Sequence, residues 1–156
     1  VVGVGAAARF ARPKGLAWAD GVLYVADADN HAVRRIDLAT GEVSTVAGTG
    51  AAGFAGDGGP ALEAQLSAPG GVAVGPSGEL FVADYQNHVI RRIGVDGTIA
   101  TVVGIGGEFG FGGDGGPPEE ALLFRPFDVA VAPNGDLVIV DQFNDRIRVV
   151  RGLTDD

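Results

Sequence analysis

Apolar runs of four to six residues, rich in Val and Ile, recur along the chain and are broken by Asp-Gly, Pro-Ser-Gly and Pro-Asn-Gly. Runs this short between turn-forming residues read as antiparallel strands joined by hairpins. Helical periodicity is nearly absent. The middle of the chain predicts a four-stranded meander: Gly71 to Val74, Leu80 to Ala83, Val89 to Val95 and Thr98 to Val103, with turns at Pro76 to Gly78, Tyr85 to His88 and Asp96-Gly97. One short helical turn is expected from Ala61 to Leu66, where Pro60 precedes Ala, Leu, Glu and Gln.

The meander is one of three copies. Leu16 to Ile36 aligns with Val72 to Ile93 after one gap, and Val129 to Val150 follows the same pattern. An Asp recurs at Asp27, Asp84 and Asp141 and an Asn at Asn30, Asn87 and Asn144, both at steps of 57 residues. Two landmarks held in register over three copies mark a genuine repeat. The prediction is all-β, a single domain over 1–156 with blades at about 14–48, 70–104 and 127–151.

The segment V-A-D-x-x-N-H-x-I/V-R-R-I, following P-x-G-V-A-V, resembles the NHL repeat, and the likeness covers essentially the whole chain. The resemblance implies a β-propeller of four-stranded blades. A long variant of this repeat, similar to segments in many bacterial proteins and in large cell-surface adhesion proteins, carries a G-F-x-G-D-G-G-P insert, present here as Gly53 to Pro60 and Gly110 to Pro117. The third copy departs from the signature, with Asp145 where the others have His31 and His88.

A blade exposes apolar faces on both sides, so three blades call for neighbours. Propellers close with about four to eight blades, six being usual in proteins that resemble this one. Two chains of three, a homodimer, would close such a ring. Val1 to Gly5 lines up with Val46 to Gly50, the end of a fourth strand, whereas the last copy stops after its third strand at Val150. Residues 1–4 are therefore expected to supply a fourth strand to a blade 3. The other reading is a piece of a longer single-chain propeller, and a chain that starts at Val1 with no Met suggests trimming, processing or excision.

Composition narrows the function. A net charge of −9 opposes a phosphate backbone, so nucleic acid is not expected as a partner, although some eukaryotic NHL proteins bind RNA. Apolar residues form 46% of the chain but never approach the roughly 18 in a row of a membrane span, so no membrane insertion is expected. Cysteine is absent, which removes thiol chemistry. The compartment stays open, a secreted or periplasmic setting being slightly favoured over the cytoplasm.

The loops between strands two and three and the long Gly-rich crossovers (48–69 and 104–126) open on one rim, the natural place for a ligand. Variation concentrates there, and Asp29, Tyr85, Gln86, Gln142 and Phe143 are the candidate ligand-binding residues. The repeated Asp27, Asn30, His31, Asp84, Asn87, His88, Asp141 and Asn144 could form a ring for cations, but recurrence in every blade favours a structural role: Asp and Asn accept backbone N–H bonds in tight turns, the two His pack between blades, and Arg34-Arg35 and Arg91-Arg92 pair with carboxylates. In the inserts, Asp57 and Asp114 are assigned to turn structure, Asp57 capping amides and Phe54 plugging between blades. The inserts lack the Lys-Ser/Thr of a phosphate loop and the spaced carboxylates of a calcium loop.

No nucleophile with its base is evident, and two His one blade apart do not hold zinc unaided. No catalytic residue, metal or cofactor is assigned. Trp18, on the first strand of the first blade, is expected at or near the central channel. The leading functional reading is a non-catalytic scaffold whose loop rim binds a protein, peptide or glycan. The alternative, by resemblance to propeller lyases and lactonases, is a metal-dependent enzyme with a central-channel site.

Overall fold

The computed structural model describes residues 3–153. It is all-β, with twelve strands: β1 Gly3–Val4, β2 Pro13–Ala19, β3 Val22–Asp27, β4 Ala32–Asp37, β5 Glu42–Ala47, β6 Val72–Val74, β7 Leu80–Asp84, β8 Val89–Ile93, β9 Ile99–Val103, β10 Pro126–Val131, β11 Leu137–Asp141 and β12 Arg146–Val150. They form three antiparallel sheets in the orders β1-β5-β4-β3-β2, β6-β7-β8-β9 and β10-β11-β12. Sequential strands are neighbours throughout β2–β5, β6–β9 and β10–β12, the up-and-down meander of a propeller blade. The helical turn after Pro60 is shorter than expected, a single 3-10 turn over Ala61–Glu63. No helix among the described residues is long and apolar enough to cross a membrane.

The middle blade shows how the core is made. Successive side chains on a strand point to opposite faces. On β7, Leu80 and Val82 join Val33, Ala47, Leu66, Val72, Ile93 and Ile99 in a core on the first-blade side. Phe81 and Ala83 join Ile90, Val103, Leu123, Val129, Leu137 and Ile139 on the third-blade side. Every β7 residue is buried, and each such Val, Leu or Phe contributes roughly 1.5–3 kcal/mol. The outer faces of the end blades are different. Ala17 packs inward, which leaves Leu16 and Trp18 on the opposite face of β2, 62% and 67% exposed. Val150 packs inward, leaving Ile147 and Val149 on the opposite face of β12, 63% and 52% exposed. Trp18 lies on β2, the edge strand of its sheet opposite β1, on the exposed face of that strand.

The inner strands approach so closely that side chains are excluded. A Cβ on Gly15 would lie 2.5 Å from Cα of Gly71, and one on Gly70 would lie 2.2 Å from the carbonyl oxygen of Phe127. The three blades therefore converge tightly around Gly70-Gly71. At the N-terminus, Gly3 and Val4 pair with Val43 and Glu42 on the outer edge of β5 in the same chain. This differs from the expected place on a third blade. The reason is that β5 ends its sheet with free backbone groups, which Gly3–Val4 satisfy, and the Gly5 N–H adds a 2.9 Å bond to the Gly41 carbonyl. Residues 1 and 2 of that predicted strand lie outside the described residues.

Candidate functional site

The rim loops rest on a frame that repeats every 57 residues. In each blade the Asp that ends the second strand is buried and turns back onto the preceding segment: Asp27, Asp84 and Asp141 accept the backbone N–H of Ala11, Ser67 and Phe124, each at 2.8 Å. The second carboxylate oxygen accepts the side-chain amide of Asn30, Asn87 or Asn144 at 2.7–2.8 Å. A 3-10 turn follows and ends in a left-handed residue, His31, His88 or Asp145, with φ of 48°, 61° and 53°. His and Asp are among the side chains that tolerate this backbone best, which accounts for their exchange in the third blade.

The same residues clasp the blades together. His31 Nδ1 accepts the Ala68 N–H at 3.0 Å and His88 Nδ1 accepts the Arg125 N–H at 3.1 Å. An acceptor nitrogen must be unprotonated, and burial, with the Arg125 charge next, lowers the pKa of His88 against the opposing pull of Asp141. The Asn87 and Asn144 amides also donate to the carbonyls of Gly53 and Gly110, both at 2.7 Å.

The Gly-rich inserts are fastened by two arginines. Arg91 donates to the carbonyls of Gln65 and Ala55 and pairs with Asp57 at 2.7 Å and Asp84 at 3.2 Å. Arg148 repeats this with Leu122, Gly112, Asp114 and Asp141. Asp57 and Asp114 thus meet a guanidinium, not the backbone amides expected of Asp57. The Phe54 ring lies under the Arg91 guanidinium at 5.0 Å. Asp84 is so fully enclosed that burial pushes its carboxyl up to about 6, against the bonds from Asn87, Ser67 and Arg91.

On this frame the loop side chains are free to vary because their backbones are fixed. The N–H groups of Asp29, Gln86 and Phe143, at equivalent positions, donate to the carbonyls of Ala11, Ser67 and Phe124. Their side chains part company. Asp29 pairs with Arg12 at 3.1 Å, Gln86 accepts the Ser67 hydroxyl at 2.9 Å, and Gln142 is exposed. Tyr85 and Phe143 share one partner: the Arg125 guanidinium stands 5.7 Å from the Tyr85 ring centre and 4.9 Å from that of Phe143.

Three further residues complete this cluster. The Lys14 ammonium lies 4.6 Å from the Tyr85 ring centre and 5.5 Å from that of Phe127, and the Tyr85 and Phe127 rings meet edge to face at 6.2 Å. Phe124 contacts Phe143, Phe109 and His88. Sequence reasoning missed Lys14, Arg125 and Phe127. The available signal was that Lys14, Gly70 and Phe127, each following the Pro at the entry to a blade, do not repeat. Among the described residues no three His, Asp or Glu side chains gather as a metal site would require.

Three successive meanders, packed face to face with their innermost strands converging, define this chain as a set of β-propeller blades. The family model of the teneurin NHL domain matches residues 49–110. The chain is 44% identical over 105 residues to the chloroplastic protein SUPPRESSOR OF QUENCHING 1 of Arabidopsis thaliana, covering 64% of this chain and 10% of that protein. It is 35% identical over 114 residues to human NHL repeat-containing protein 2, covering 67% of this chain and 15% of that protein. A crystal structure of a Bacteroides thetaiotaomicron protein of unknown function superposes with a TM-score of 0.74 at 25% identity, over 82% of this chain and 32% of that one. This chain belongs to the NHL-repeat family. It spans only a small part of the length of those relatives.

Proposed function

We propose that the chain is a non-catalytic binding scaffold, in which the repeated frame holds a loop rim that receives a protein, peptide or glycan. The observation that carries this reading is the shared contact of Tyr85 and Phe143 with Arg125, made by side chains that differ from blade to blade on backbones that do not. Phe143 is exposed and Tyr85 half-buried, and aromatic surface held in place by a rigid frame is a recurrent feature of binding surfaces. The test is an array of peptides and of neutral and acidic glycans probed with the chain and with its Tyr85→Ala/Phe143→Ala variant. The variant is expected to lose the array signal while keeping its melting temperature. A signal that survives, or one lost only together with the fold, defeats the reading.

The blades are proposed to work within a closed ring, completed by a second copy of the chain. Two features support this: the apolar faces at Leu16 and Trp18 and at Ile147 and Val149, and the outer edge of β12, which among the described residues has no strand where β8 has β9. Beside that edge runs a groove lined by Val103, Gly115, Leu123, Ile139 and Val150, placed to receive a strand by main-chain pairing. Light scattering is expected to give twice 15.7 kDa. A well-behaved species of 15.7 kDa would defeat the two-copy closure and leave the rim reading untouched.

A further inference from the structure

The residues that break the repeat are not scattered. Lys14 comes from the start of β2 in the first blade, Tyr85 from the loop after β7 in the second, and Arg125, Phe127 and Phe143 from the third. The close packing of inner strands over Gly70-Gly71 brings all five together. Position 70 is the equivalent of Lys14 and Phe127, and the Phe127 backbone packs directly against it, so the second blade adds no side chain between them.

The charge at this spot opposes that of the molecule. The chain carries 20 acidic residues against 11 Lys and Arg, yet none of the ion pairs among the described residues uses Lys14 or Arg125. Each instead stands over aromatic rings, and both approach the same ring, Tyr85. A guanidinium stacked on rings keeps its in-plane N–H donors at its edge, suited to a carboxylate. An ammonium over a ring face likewise keeps donors for a second oxygen. Burial, and after it the neighbouring Arg12, lower the Lys14 pKa, with Asp29 opposing them.

We propose that Lys14 and Arg125 bind a carboxylate carried on a six-membered ring, either a uronic acid sugar or an aromatic acid, with one face of that ring lying against Phe127 and Phe143. The carboxylate bridges the two cations beside Tyr85, and its ring covers aromatic surface that is 37% exposed on Phe127 and 48% on Phe143. A singly charged ligand fits better than a polyanion. Screening over about 8 Å confines the attraction to the two nearby cations, whereas a polyanion meets the repulsion of a chain of net charge −9 along its whole length. This inference rests on the loop-rim reading and supplies its ligand class.

The test titrates the chain with D-glucuronate and with benzoate, each against its uncharged counterpart, glucose or benzamide, following the Tyr85 ring and Arg125 Nε–H signals by NMR. At least one acid is expected to bind saturably while its counterpart does not, and the tighter acid identifies the source. Binding should weaken about tenfold or more in Lys14→Gln/Arg125→Gln and survive in Lys14→Arg/Arg125→Lys. If the double variant does not fold, Lys14→Gln alone carries the comparison. Equal binding of acid and counterpart, an unaffected Gln variant, or no perturbation by either acid at about 50 mM, a concentration that detects even feeble affinity, overturns the proposal. If the acids fail while the Tyr85→Ala/Phe143→Ala variant still abolishes array binding, the ligand class falls and the rim reading stands. If the array signal is also indifferent to those two residues, both fall.

Discussion

Nδ1 of His88 accepts the backbone N–H of Arg125 at 3.1 Å, a bond that ties the rim loop of the second blade to the entry of the third across 37 residues of sequence. Only the unprotonated ring can make it. Because the folded state holds His88 below its ordinary value of 6.5, the stability from this contact is complete above pH 6.5 and is lost as the pH falls through the lowered folded value. Urea denaturation from pH 7.5 to 5 should show this decline, and His88→Asn, which tolerates the left-handed backbone but does not titrate, should flatten it. An unchanged slope in the variant would assign the decline to other groups.

Asp84 carries the opposite sign. Its carboxyl is pushed up to about 6 in the fold against an ordinary value of 3.8, so its contribution is most favourable below 3.8 and is lost as the pH rises through about 6. Carboxyl-carbon NMR should place its midpoint near 6, well above that of the half-buried Asp37, whose carboxyl is lowered by the N–H groups of Thr40 and Ala39. Coincident midpoints would show that Arg91 offsets the burial completely.

Arg91 is fully buried and holds Asp57, Asp84 and two carbonyls at once. Replacing it by Met leaves the Asp84 carboxylate buried without its counter-charge, at a cost of about 3–5 kcal/mol. Arg148→Met should cost less, because Arg148 retains 10% side-chain exposure and its partner Asp114 is 63% exposed. Chemical denaturation of both variants decides the order, and limited proteolysis should find the 53–60 insert newly accessible in the Arg91 variant.

Gly48 has φ of +98°, and a Cβ there would lie 2.3 Å from the carbonyl oxygen of His31. Gly21 has φ of +78° with open space around it. Gly21→Ala should therefore cost only the backbone strain, about 1–2 kcal/mol, and Gly48→Ala clearly more. Equal losses would mean that the β5 exit shifts freely away from the His31 turn.

The repeated parts of this architecture were legible in the sequence because each blade poses the same problem. Asp84 and Asn87 recur, and His88 in two of the three blades, since every blade must hold a tight turn and clasp its neighbour, and the unbroken apolar run Leu80, Phe81, Val82 and Ala83 fits a strand buried on both faces. What was not legible is which residues of different blades meet. Lys14 and Tyr85 come together through the packing of inner strands over Gly70-Gly71, and no local pattern marks that contact. Tyr85 and Phe143 stood out only as variable loop residues, and the guanidinium between them belongs to an entry segment whose variation went unweighed. The Asp57 partner was missed for a related reason: a turn-forming Asp and an ion-paired Asp look alike until Arg91 is brought across from the next blade. Gly3–Val4 shows the limit of alignment by likeness, since an open β5 edge in the same chain took up the strand.

The clasps have a consequence for how such proteins change in size. His31 and His88 each hold a partner 37 positions ahead, and Asn87 and Asn144 each hold one 34 positions behind. Each of these clasps therefore runs between adjacent units. Duplication or loss of a stretch of 57 residues would rejoin matching halves wherever the break fell, so a row of such blades can gain or shed whole units by simple recombination.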